Sequence, residues 1–309
     1  MFVIIETMSN LLETLEAHKA AKNDKRVFGL VVQGGGMRAV YSCGALVTLL
    51  QYGLTDVFDH VIGSSAGAMN GAYYLSADAD AASIYTADIS NKNFVNLLRK
   101  DKKVDIDYLV DLVLKHKRPL NLDKLRNSHS QLHIVVTNAK NGQKEVLSNH
   151  EDFVEIYEEF RATAALPMLY DKKVNIKDKW YIDGGVSDLI PLDVAHKLGC
   201  TDIVVVMTQR VSNYHFDRRH TRLVNHLIRR YAKNQPPAVR KILPTNEKIL
   251  KVNLDRIRHP FKKTRVYLLE PSDSSSLISL STIDKPKVEL LAKLGVHDMD
   301  ILLHKELAS

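Results

Sequence analysis

A five-residue run, Gly63-Ser64-Ser65-Ala66-Gly67, places the tightest constraint on how this chain folds. It follows a short apolar stretch, residues 57–62, that is typical of a strand, and precedes small residues, 66–75, that are typical of a helix. A serine on such a turn projects its hydroxyl from the edge of a sheet, because its small neighbours let the backbone turn sharply. The pattern makes Ser65 a candidate nucleophile. A glycine-rich connection that merely packs a strand against a helix would look the same.

A second glycine run, Gly34-Gly35-Gly36, follows the first buried-type strand, residues 27–32. It has three interpretations: the loose dinucleotide fingerprint ending at Ala39, a loop whose backbone N–H groups bind an oxyanion, or a simple turn. The fingerprint needs an acidic residue at the end of the second strand, where this chain has Ser64 and Ser65 instead. Because the ends of neighbouring parallel strands adjoin, the pairing with Ser65 favours the oxyanion loop.

Buried-type strands alternate with helical patterns along the chain, which predicts an α/β fold with a mostly parallel central sheet flanked by helices. Residues 80–130 are predicted to be largely helical, and Pro236-Pro237 separates two basic helical stretches, about 217–233 and 236–251. The other predicted strands are residues 132–137, 144–147, 174–176, 180–182, 203–207 and 266–269, and the other predicted helices are residues 7–20, 40–50, 105–115, 151–165, 191–198 and 287–304.

A serine hydroxyl is a poor nucleophile unless a base takes its proton. None of the 13 histidines stands in a local signature that would mark it as that base. Asp183 is an acid at the end of a predicted strand, and Gly184 and Gly185 after it permit the close approach of another backbone. A carboxylate within hydrogen-bond reach of Ser65 can accept its proton directly. The structural alternative is an Asp-Gly turn cap.

Composition limits the compartment and the partners. The two cysteines, Cys43 and Cys200, have no metal or redox spacing, so a reducing compartment is expected. The N-terminal apolar run, residues 2–5, is too short for a signal peptide, and no stretch has the length of a membrane span. We therefore expect a cytoplasmic protein, with attachment to a membrane surface left open.

The positive charge is concentrated in one segment. The net charge is +7, and the segment from Gln209 to Arg265 holds 16 Lys and Arg against 3 Asp and Glu. Such a segment can meet phosphate head groups or nucleic acid, or it can be a solvated helical face. We predict peripheral contact of residues 210–263 with an anionic membrane and do not expect nucleic acid as a partner.

The motifs together resemble those of the patatin-like phospholipase family. Gly34–Arg38 is similar to its oxyanion block, Gly63–Gly67 to its nucleophile elbow, and Asp183–Gly185 to its D-G-G block, in the family's order. Arg161–Pro167 resembles the helix before that last block. The resemblance covers about residues 27–195, and the subtype looks like bacterial members with an extra C-terminal segment. The family's glycine after the arginine of the first block is Ala39 here, and we expect its methyl group to narrow the cleft or alter the loop.

The resemblance implies a three-layer α/β/α fold and a serine–aspartate dyad that hydrolyses acyl esters of lipids without a metal or cofactor. Ser65 would attack the ester carbonyl, and Asp183 would accept its proton and later activate water. Backbone N–H groups of Gly35 and Gly36 would stabilise the oxyanion, with Arg38 nearby. The full oxyanion block is Gly34, Gly35, Gly36, Met37 and Arg38, and the supporting glycines are Gly63, Gly67, Gly184 and Gly185.

The same reasoning predicts three parts of the chain. Residues 1–26 form an N-terminal helix and linker, residues 27–208 form the catalytic domain, and residues 209–309 form a basic, mainly helical extension packed on it. Two other functional classes stay open. One is a Ser-His-Asp α/β-hydrolase that uses a later acid and a later histidine such as His196, His215 or His297. The other is a lipid- or nucleotide-binding protein without catalysis.

Overall fold

The structure is a computed structural model that describes residues 10–21, 25–148, 150, 153, 155–214, 237–242, 246–274 and 276–306. In these residues an eight-stranded mixed sheet forms the centre of the molecule. Its strands are β1 (Phe28–Val32), β2 (His60–Ser64), β3 (Gln131–Asn138), β4 (Lys144–Leu147), β5 (Val174–Ile176), β6 (Lys179–Asp183), β7 (Asp202–Val206) and β8 (Arg265–Leu269).

Helices of two kinds surround the sheet. The α-helices are α1 (Leu11–Ala20), α2 (Val40–Gln51), α3 (Ala66–Leu75), α4 (Leu122–Asn127), α5 (Ile156–Thr163), α6 (Leu192–Lys197), α7 (Pro237–Ile242), α8 (Asn246–Arg258) and α9 (Lys285–His304). Two π-helices, π1 (Ile84–Ile89) and π2 (Tyr108–Lys117), lie between α3 and α4. Short 3₁₀ turns cover Gly36–Ala39, Gly184–Val186 and Val211–Asn213.

The sheet is parallel in its centre and antiparallel at one margin. Hydrogen bonds join the strands in the order β5-β6-β3-β2-β1-β7-β8, with β4 also paired to β3. The pairings of β1 with β2 and β7, of β2 with β3 and of β7 with β8 are parallel. The pairings of β3 with β4 and β6, and of β5 with β6, are antiparallel. The α/β class and the predominantly parallel core predicted from the sequence are confirmed.

Alternating residues of the buried strands face two separate cores. In β1, Leu30 and Val32 pack with α1, α2, α3, α5, the two π-helices and α9 on one face of the sheet. Val31 points the other way and packs with residues of α6 and α8. Because side chains alternate across a strand, an all-apolar strand needs cover on both faces. The described residues therefore form three layers, α/β/α, as the family resemblance implied.

Two predicted elements differ from the structure. Residues 80–130 are only partly helical, because residues 91–105 form an irregular segment in which Val95 and Val104 pair as an antiparallel bridge. The strand predicted over residues 57–62 begins at His60, because the Asp59 side chain accepts a hydrogen bond from the Phe28 N–H at 2.7 Å and caps the start of the pairing. The basic helix predicted over residues 217–233 lies outside the described residues.

Elements from beyond residue 208 complete the same sheet and core. β8 pairs along the whole of β7, and α9 packs against α2. The two helices approach closely through glycines, because a Cβ atom on Gly295 would lie 2.0 Å from the Tyr41 carbonyl oxygen. The domain boundary drawn at residue 208 stays a prediction. Within the part of the chain that is described, no helix is both long and apolar enough to cross a bilayer.

Candidate active site

Ser65 lies on a sharp turn between a strand and a helix, as predicted. β2 ends at Ser64, α3 begins at Ala66, and Ser65 between them has φ 52° and ψ −133°. A non-glycine residue adopts positive φ only at a cost, so the surrounding packing must hold it there. The motif glycines explain how: a Cβ atom on Gly63 would lie 2.5 Å from the Ala68 nitrogen, and one on Gly67 2.3 Å from the Val32 carbonyl oxygen. Only glycine lets the helix pack this close to the strands.

The structure brings Ser65 and Asp183 together. The Ser65 Oγ donates a hydrogen bond to the Asp183 Oδ2 at 2.9 Å. The register of β3 explains the contact. Val135 pairs with Ser64 of β2 and, on its other side, with β4, while the next residue, Val136, pairs with Asp183 and again with β4.

It follows that β2 and β6 lie on the same side of β3. They run towards each other and end head to head, because β2 is parallel to β3 and β6 is antiparallel to it. Their last residues, Ser64 and Asp183, occupy successive positions along β3. Gly184 continues from this junction so tightly that a Cβ atom on it would lie 2.0 Å from the Val135 carbonyl oxygen. The glycine after Asp183 is therefore a requirement of the junction between the two strands.

The Asp183 carboxyl group is held away from water. Its side chain is buried, and burial raises its pKa to about 7, although the hydrogen bonds from the Ser65 hydroxyl and the Gly185 N–H act in the opposite direction. The Gly185 N–H donates to the Asp183 Oδ1 at 2.7 Å, so each carboxyl oxygen has one donor. A carboxyl group with a pKa near neutrality can both accept and release a proton in the range where enzymes work.

Thr163, which sequence reasoning did not single out, supports the Ser65 turn. The Ser65 N–H donates to the Thr163 Oγ1 at 2.8 Å, and that hydroxyl donates to the Val135 carbonyl oxygen at 2.6 Å. The Thr163 hydroxyl thus links the backbone of Ser65 to the backbone of Val135, just after the last residue of β2 that pairs with β3. A signal was present, because Thr163 belongs to the stretch Arg161–Pro167 that resembles the family's helix before the D-G-G block.

The glycine loop crosses the Ser65 turn at close range. A Cβ atom on Gly34 would lie 3.0 Å from the Ser65 Cβ, and one on Gly36, which has φ 55°, would lie 2.5 Å from the Leu280 carbonyl oxygen. Among the described residues, the N–H groups of Gly34, Gly35 and Gly36 have no hydrogen-bond acceptor. These are the donors that the oxyanion interpretation requires.

Met37 and Arg38 contribute to the loop in another way than their place in the predicted oxyanion block suggested. The Met37 N–H donates to the Leu280 carbonyl oxygen at 3.0 Å and the Arg38 N–H to the Gly35 carbonyl oxygen at 3.2 Å. Their backbone donors are therefore already used in anchoring and closing the loop. Of the five residues in the block, only the three glycines keep a backbone N–H without an acceptor among the described residues.

The Arg38 guanidinium remains beside the cavity. It donates to the Gln209 Oε1 at 2.5 Å, its Nε has no partner among the described residues, and burial lowers its pKa. Ala39 packs in the core and is not among the residues that line the cavity, and its carbonyl oxygen accepts a hydrogen bond from the Asn70 Nδ2 at 2.8 Å. The expected effect of the Ala39 methyl group on the cleft or the loop stays a prediction.

A cavity of about 220 Å³ opens beside Ser65 and Asp183. This is far more than the roughly 15 Å³ that one buried water needs, so the space suits an organic chain. Its walls come from α3, both π-helices and the segment after α5, and they are mostly apolar. The apolar lining residues are Ala66, Met69, Ile84, Ile89, Phe94, Val104, Ile106, Leu109, Leu114, Ala164, Leu166, Leu169, Leu189 and Leu280.

Two of the three histidines considered for a triad, His196 and His297, lie away from the cavity. No described histidine lines the cavity. His196 stacks on Phe261 with ring centroids 3.9 Å apart, and His297 lines a separate surface depression with Tyr52. His215 lies outside the described residues. The side-chain partner of the Ser65 hydroxyl is the carboxyl group of Asp183.

A model of a known protein family matches the part of the chain that carries these motifs. The patatin-like phospholipase model matches residues 30–196, more than half of the chain. The uncharacterized protein YjjU of Escherichia coli (strain K12) is 26% identical in an alignment of 187 positions that covers 58% of this chain and 51% of that protein. The chain thus spans about half the length of this curated relative. The crystal structure of VipD from Legionella pneumophila is similar over 96% of this chain and 73% of that chain, with 15% identity and a TM-score of 0.47.

The matched range contains each of the motifs on which the resemblance was based. It takes in the glycine loop, the turn at Ser65 and the end of β6 at Asp183. The resemblance drawn from the sequence is confirmed: the chain belongs to the patatin-like phospholipase family.

Proposed function

We propose that this protein hydrolyses acyl esters of lipids, as a phospholipase A or lipid acyl hydrolase, with Ser65 as nucleophile and Asp183 as base. The observation that carries the proposal is the 2.9 Å hydrogen bond from the Ser65 Oγ to the Asp183 Oδ2 beside an apolar cavity. Family membership supports the class of reaction. The apolar walls fit an acyl chain better than a nucleotide, which would need polar partners.

The chemistry follows from the positions of the groups. The Ser65 Oγ attacks the ester carbonyl carbon while its proton passes to Asp183, and the leaving alcohol then takes that proton. The oxyanion forms opposite the N–H groups of Gly35 and Gly36, with Gly34 and the Arg38 charge nearby, and each such donor contributes about 3 kcal/mol to the transition state. Water then attacks the carbonyl carbon of the acyl-enzyme while Asp183 accepts its proton. The bond from that carbon to the Ser65 Oγ breaks, the fatty acid leaves, and Asp183 returns the proton to the Ser65 Oγ.

Labelling with a fluorophosphonate tests the nucleophile and separates catalysis from simple lipid binding. We expect a single covalent adduct on Ser65, because the probe reacts with an activated serine hydroxyl and not with an ordinary one. Ser64 is an internal control: it is buried, and its Oγ lies 3.4 Å from the Leu189 carbonyl oxygen. Peptide mapping by mass spectrometry reads the site. An intact, folded chain that stays unlabelled would contradict the proposal, and an adduct on Ser64 would reassign the nucleophile.

The pH dependence of hydrolysis tests the base. Only the ionised Asp183 can accept the Ser65 proton, and burial raises the pKa of Asp183 to about 7. We therefore expect kcat/KM for a soluble ester to rise with pH, about tenfold per unit below the pKa, and to level off above it. The measurement is a pH–rate profile at fixed ionic strength. A profile already flat between pH ~5 and ~6, where an ordinary carboxylate is ionised, would contradict a buried carboxyl base.

Thr163→Val tests how the Ser65 turn is held. Valine keeps the shape of threonine but leaves the Ser65 N–H and the Val135 carbonyl oxygen without the bridging hydroxyl. We expect unfolding free energy to fall by about 2–4 kcal/mol and kcat by about 10- to 100-fold, with little change in KM. Thr163→Ser retains the hydroxyl and is the matched control, which should keep most of the activity. A loss in Thr163→Ser together with full activity in Thr163→Val would make the methyl group, and not the hydroxyl, the important part.

The remaining sequence expectations stay proposals about the same enzyme. We retain cytoplasmic residence, peripheral contact of residues 210–263 with anionic membranes, and the division at residue 208. Charge supports the membrane contact, because basic segments are attracted to anionic lipid surfaces. A contact with the glycine loop supports a role for the extension beside the site: the Leu280 carbonyl oxygen accepts the hydrogen bond that anchors this loop at Met37.

A further inference from the structure

Two consecutive leucines project into solvent on a loop that the proposed mechanism does not use. Leu98 is 94% exposed and Leu97 is 56% exposed. Among the described residues, the other exposed large apolar side chains are separated from one another in the sequence, whereas these two adjoin. Single exposed leucines are ordinary, but an adjoining pair marks a surface worth explaining. We name residues 96–103 the leucine loop.

The leucine loop is braced from within. Its ends are closed by the bridge between Val95 and Val104 and by a 2.8 Å hydrogen bond from the Asn96 N–H to the Lys103 carbonyl oxygen. The Arg99 guanidinium donates to the carbonyl oxygens of Lys92, Asn93 and Lys102 and pairs with Asp105. These contacts of Arg99 stabilise the conformation of the loop, in which Leu97 and Leu98 are exposed to solvent.

The leucine loop is joined to the wall of the cavity beside Ser65. Phe94 and Val104, which flank it on either side, both line that cavity. The Val104 N–H donates to the carbonyl oxygen of Leu169 at 3.0 Å, and Lys102 bridges to Tyr170. Leu169 and Tyr170 line the cavity as well. The residues that flank the leucine loop, and a segment that Val104 and Lys102 pair with, therefore belong to the wall of the cavity.

Positive charge surrounds the two leucines. Residues 92–103 contain five Lys and Arg and one acidic residue, Asp101. Lys92 and Lys100 on the loop side, and Lys173 beyond Tyr170, are exposed and form no ion pair among the described residues. Asp105 and Asp107 are already paired with Arg99 and Lys102. The free cations near the leucines therefore outnumber the free carboxylates.

We propose that the leucine loop docks this side of the cavity wall on an anionic phospholipid bilayer. This inference rests on the proposed function, because it supplies the surface from which lipid esters reach Ser65. Leu97 and Leu98 insert among the acyl chains, and Lys92, Lys100 and Lys173 meet the phosphate and carboxylate groups of the lipids. The combination of apolar side chains, surrounding ammonium groups and an adjoining apolar cavity selects a lipid surface over a protein partner.

Vesicle binding tests the inference. The full chain carrying Ser65→Ala is mixed with vesicles of phosphatidylcholine and phosphatidylserine, with and without Leu97→Ser and Leu98→Ser together. We expect the double substitution to lower the vesicle partition coefficient at least about tenfold, since two leucine side chains lose their apolar contact. Leu290→Ser, at a leucine that is 54% exposed on α9, is the matched control and should bind as the parent does.

Activity gives an independent readout. In chains that retain Ser65, the double leucine substitution should lower the ratio of vesicle phospholipid hydrolysis to soluble short-chain ester hydrolysis by a similar factor. If the double variant does not fold, Lys100→Glu with Lys173→Glu takes its place, and it should weaken binding only to vesicles that contain phosphatidylserine.

The outcomes separate the two proposals. Unchanged vesicle binding by the double leucine variant overturns the inference, and salt-sensitive binding that survives it would assign the contact to residues 210–263. A shift in oligomer size with unchanged vesicle binding would assign the leucines to a second copy of this chain and overturns it equally. Leucine-dependent binding by a chain that hydrolyses no soluble ester would uphold the docking surface and defeat the proposed function.

Discussion

Replacing Ser65 by alanine should abolish measurable hydrolysis of both a soluble p-nitrophenyl ester and a phospholipid. The substitution removes the atom that attacks the carbonyl, and the loss of a nucleophilic serine in serine proteases lowers kcat by about 10⁶-fold. The turn itself should survive, because alanine and serine are similarly disfavoured at the observed φ of 52°. Steady-state kinetics and a thermal melt of the same preparation measure the two effects separately.

The matched control for this substitution is the neighbouring serine. Ser64 is fully buried at the end of β2, and its hydroxyl has only a weak contact with the Leu189 carbonyl oxygen at 3.4 Å. Ser64→Ala should therefore keep hydrolysis within a few-fold of the parent. Turnover like that of the parent in a folded Ser65→Ala chain would rule out the dyad, and so would a loss confined to Ser64→Ala.

The result also bears on the Ser-His-Asp alternative. A triad loses activity when its histidine is replaced, whereas the dyad has no indispensable histidine. His196 stacks on Phe261 and His297 lies on α9, so Ala substitutions at both should leave the pH–rate profile unchanged. His215, outside the described residues, belongs in the same scan. Loss of activity at any of the three would favour the triad.

The central strands that carry the site could be predicted from the sequence, because a buried strand is a short run of apolar residues. Residues of β1, and of β7 after its first residue Asp202, are apolar at every position, which is what cover on both faces of a parallel sheet demands. The turn at Ser65 was predictable for a similar reason. Gly63 and Gly67 lie where any side chain would collide with backbone, so the spacing of glycines reflects the geometry directly.

Ser65 and Asp183 do not meet because they follow neighbouring parallel strands. Adjacent ends of parallel strands share an edge, but β6 is antiparallel to β3 and meets β2 head to head. That junction depends on where β6 stops along β3, which is a matter of register between segments distant in sequence. A local pattern could mark Asp183 as unusual, but it could not give the direction from which the strand arrives.

The walls of the cavity were the hardest part to predict. Periodicity favoured ordinary core helices over residues 80–130, yet residues 84–89 and 108–117 are π-helices, and apolar side chains from both face an open cavity. A residue that lines a cavity and one that fills a core have the same apolar character, so hydrophobic pattern alone does not separate them. The anchoring of the glycine loop by Leu280 is likewise a contact across most of the chain.

Asp183→Asn should lower kcat at least about 10⁴-fold and at the same time stabilise the fold above neutral pH. Asparagine is nearly isosteric: its oxygen can accept the hydrogen bond from the Gly185 N–H, and its amide can donate to the Ser65 Oγ. The amide cannot take a proton from serine, so the chemistry is lost while the contacts persist. Loss of activity with an intact fold would identify the carboxylate as the required group.

The stability change has a definite sign because the pKa of Asp183 is raised to about 7 by burial. In the unfolded chain an aspartate has a pKa of about 3.9, so the protonated side chain contributes stability below that pH and loses it as the pH rises through the folded value. Asparagine has no proton to lose. The free energy of unfolding of the variant should therefore rise relative to that of the parent from pH ~4 upwards, by up to about 4 kcal/mol above pH ~7.

A second aspartate, Asp193, should change the stability of the fold with pH in the direction opposite to Asp183. Burial tends to raise the pKa of Asp193, but the hydrogen bond and charge of Lys144 outweigh it and hold that pKa below its usual value. Asp193 therefore adds stability above the unfolded pKa and loses it as the pH falls, so Asp193→Asn should destabilise the fold at neutral pH. Denaturant unfolding across the pH range distinguishes the two variants. If Asp183→Asn also destabilised the fold at high pH, the ionised Asp183 carboxylate would be stabilised in its site. The claim that burial raises the pKa of the base beside Ser65 would then be wrong.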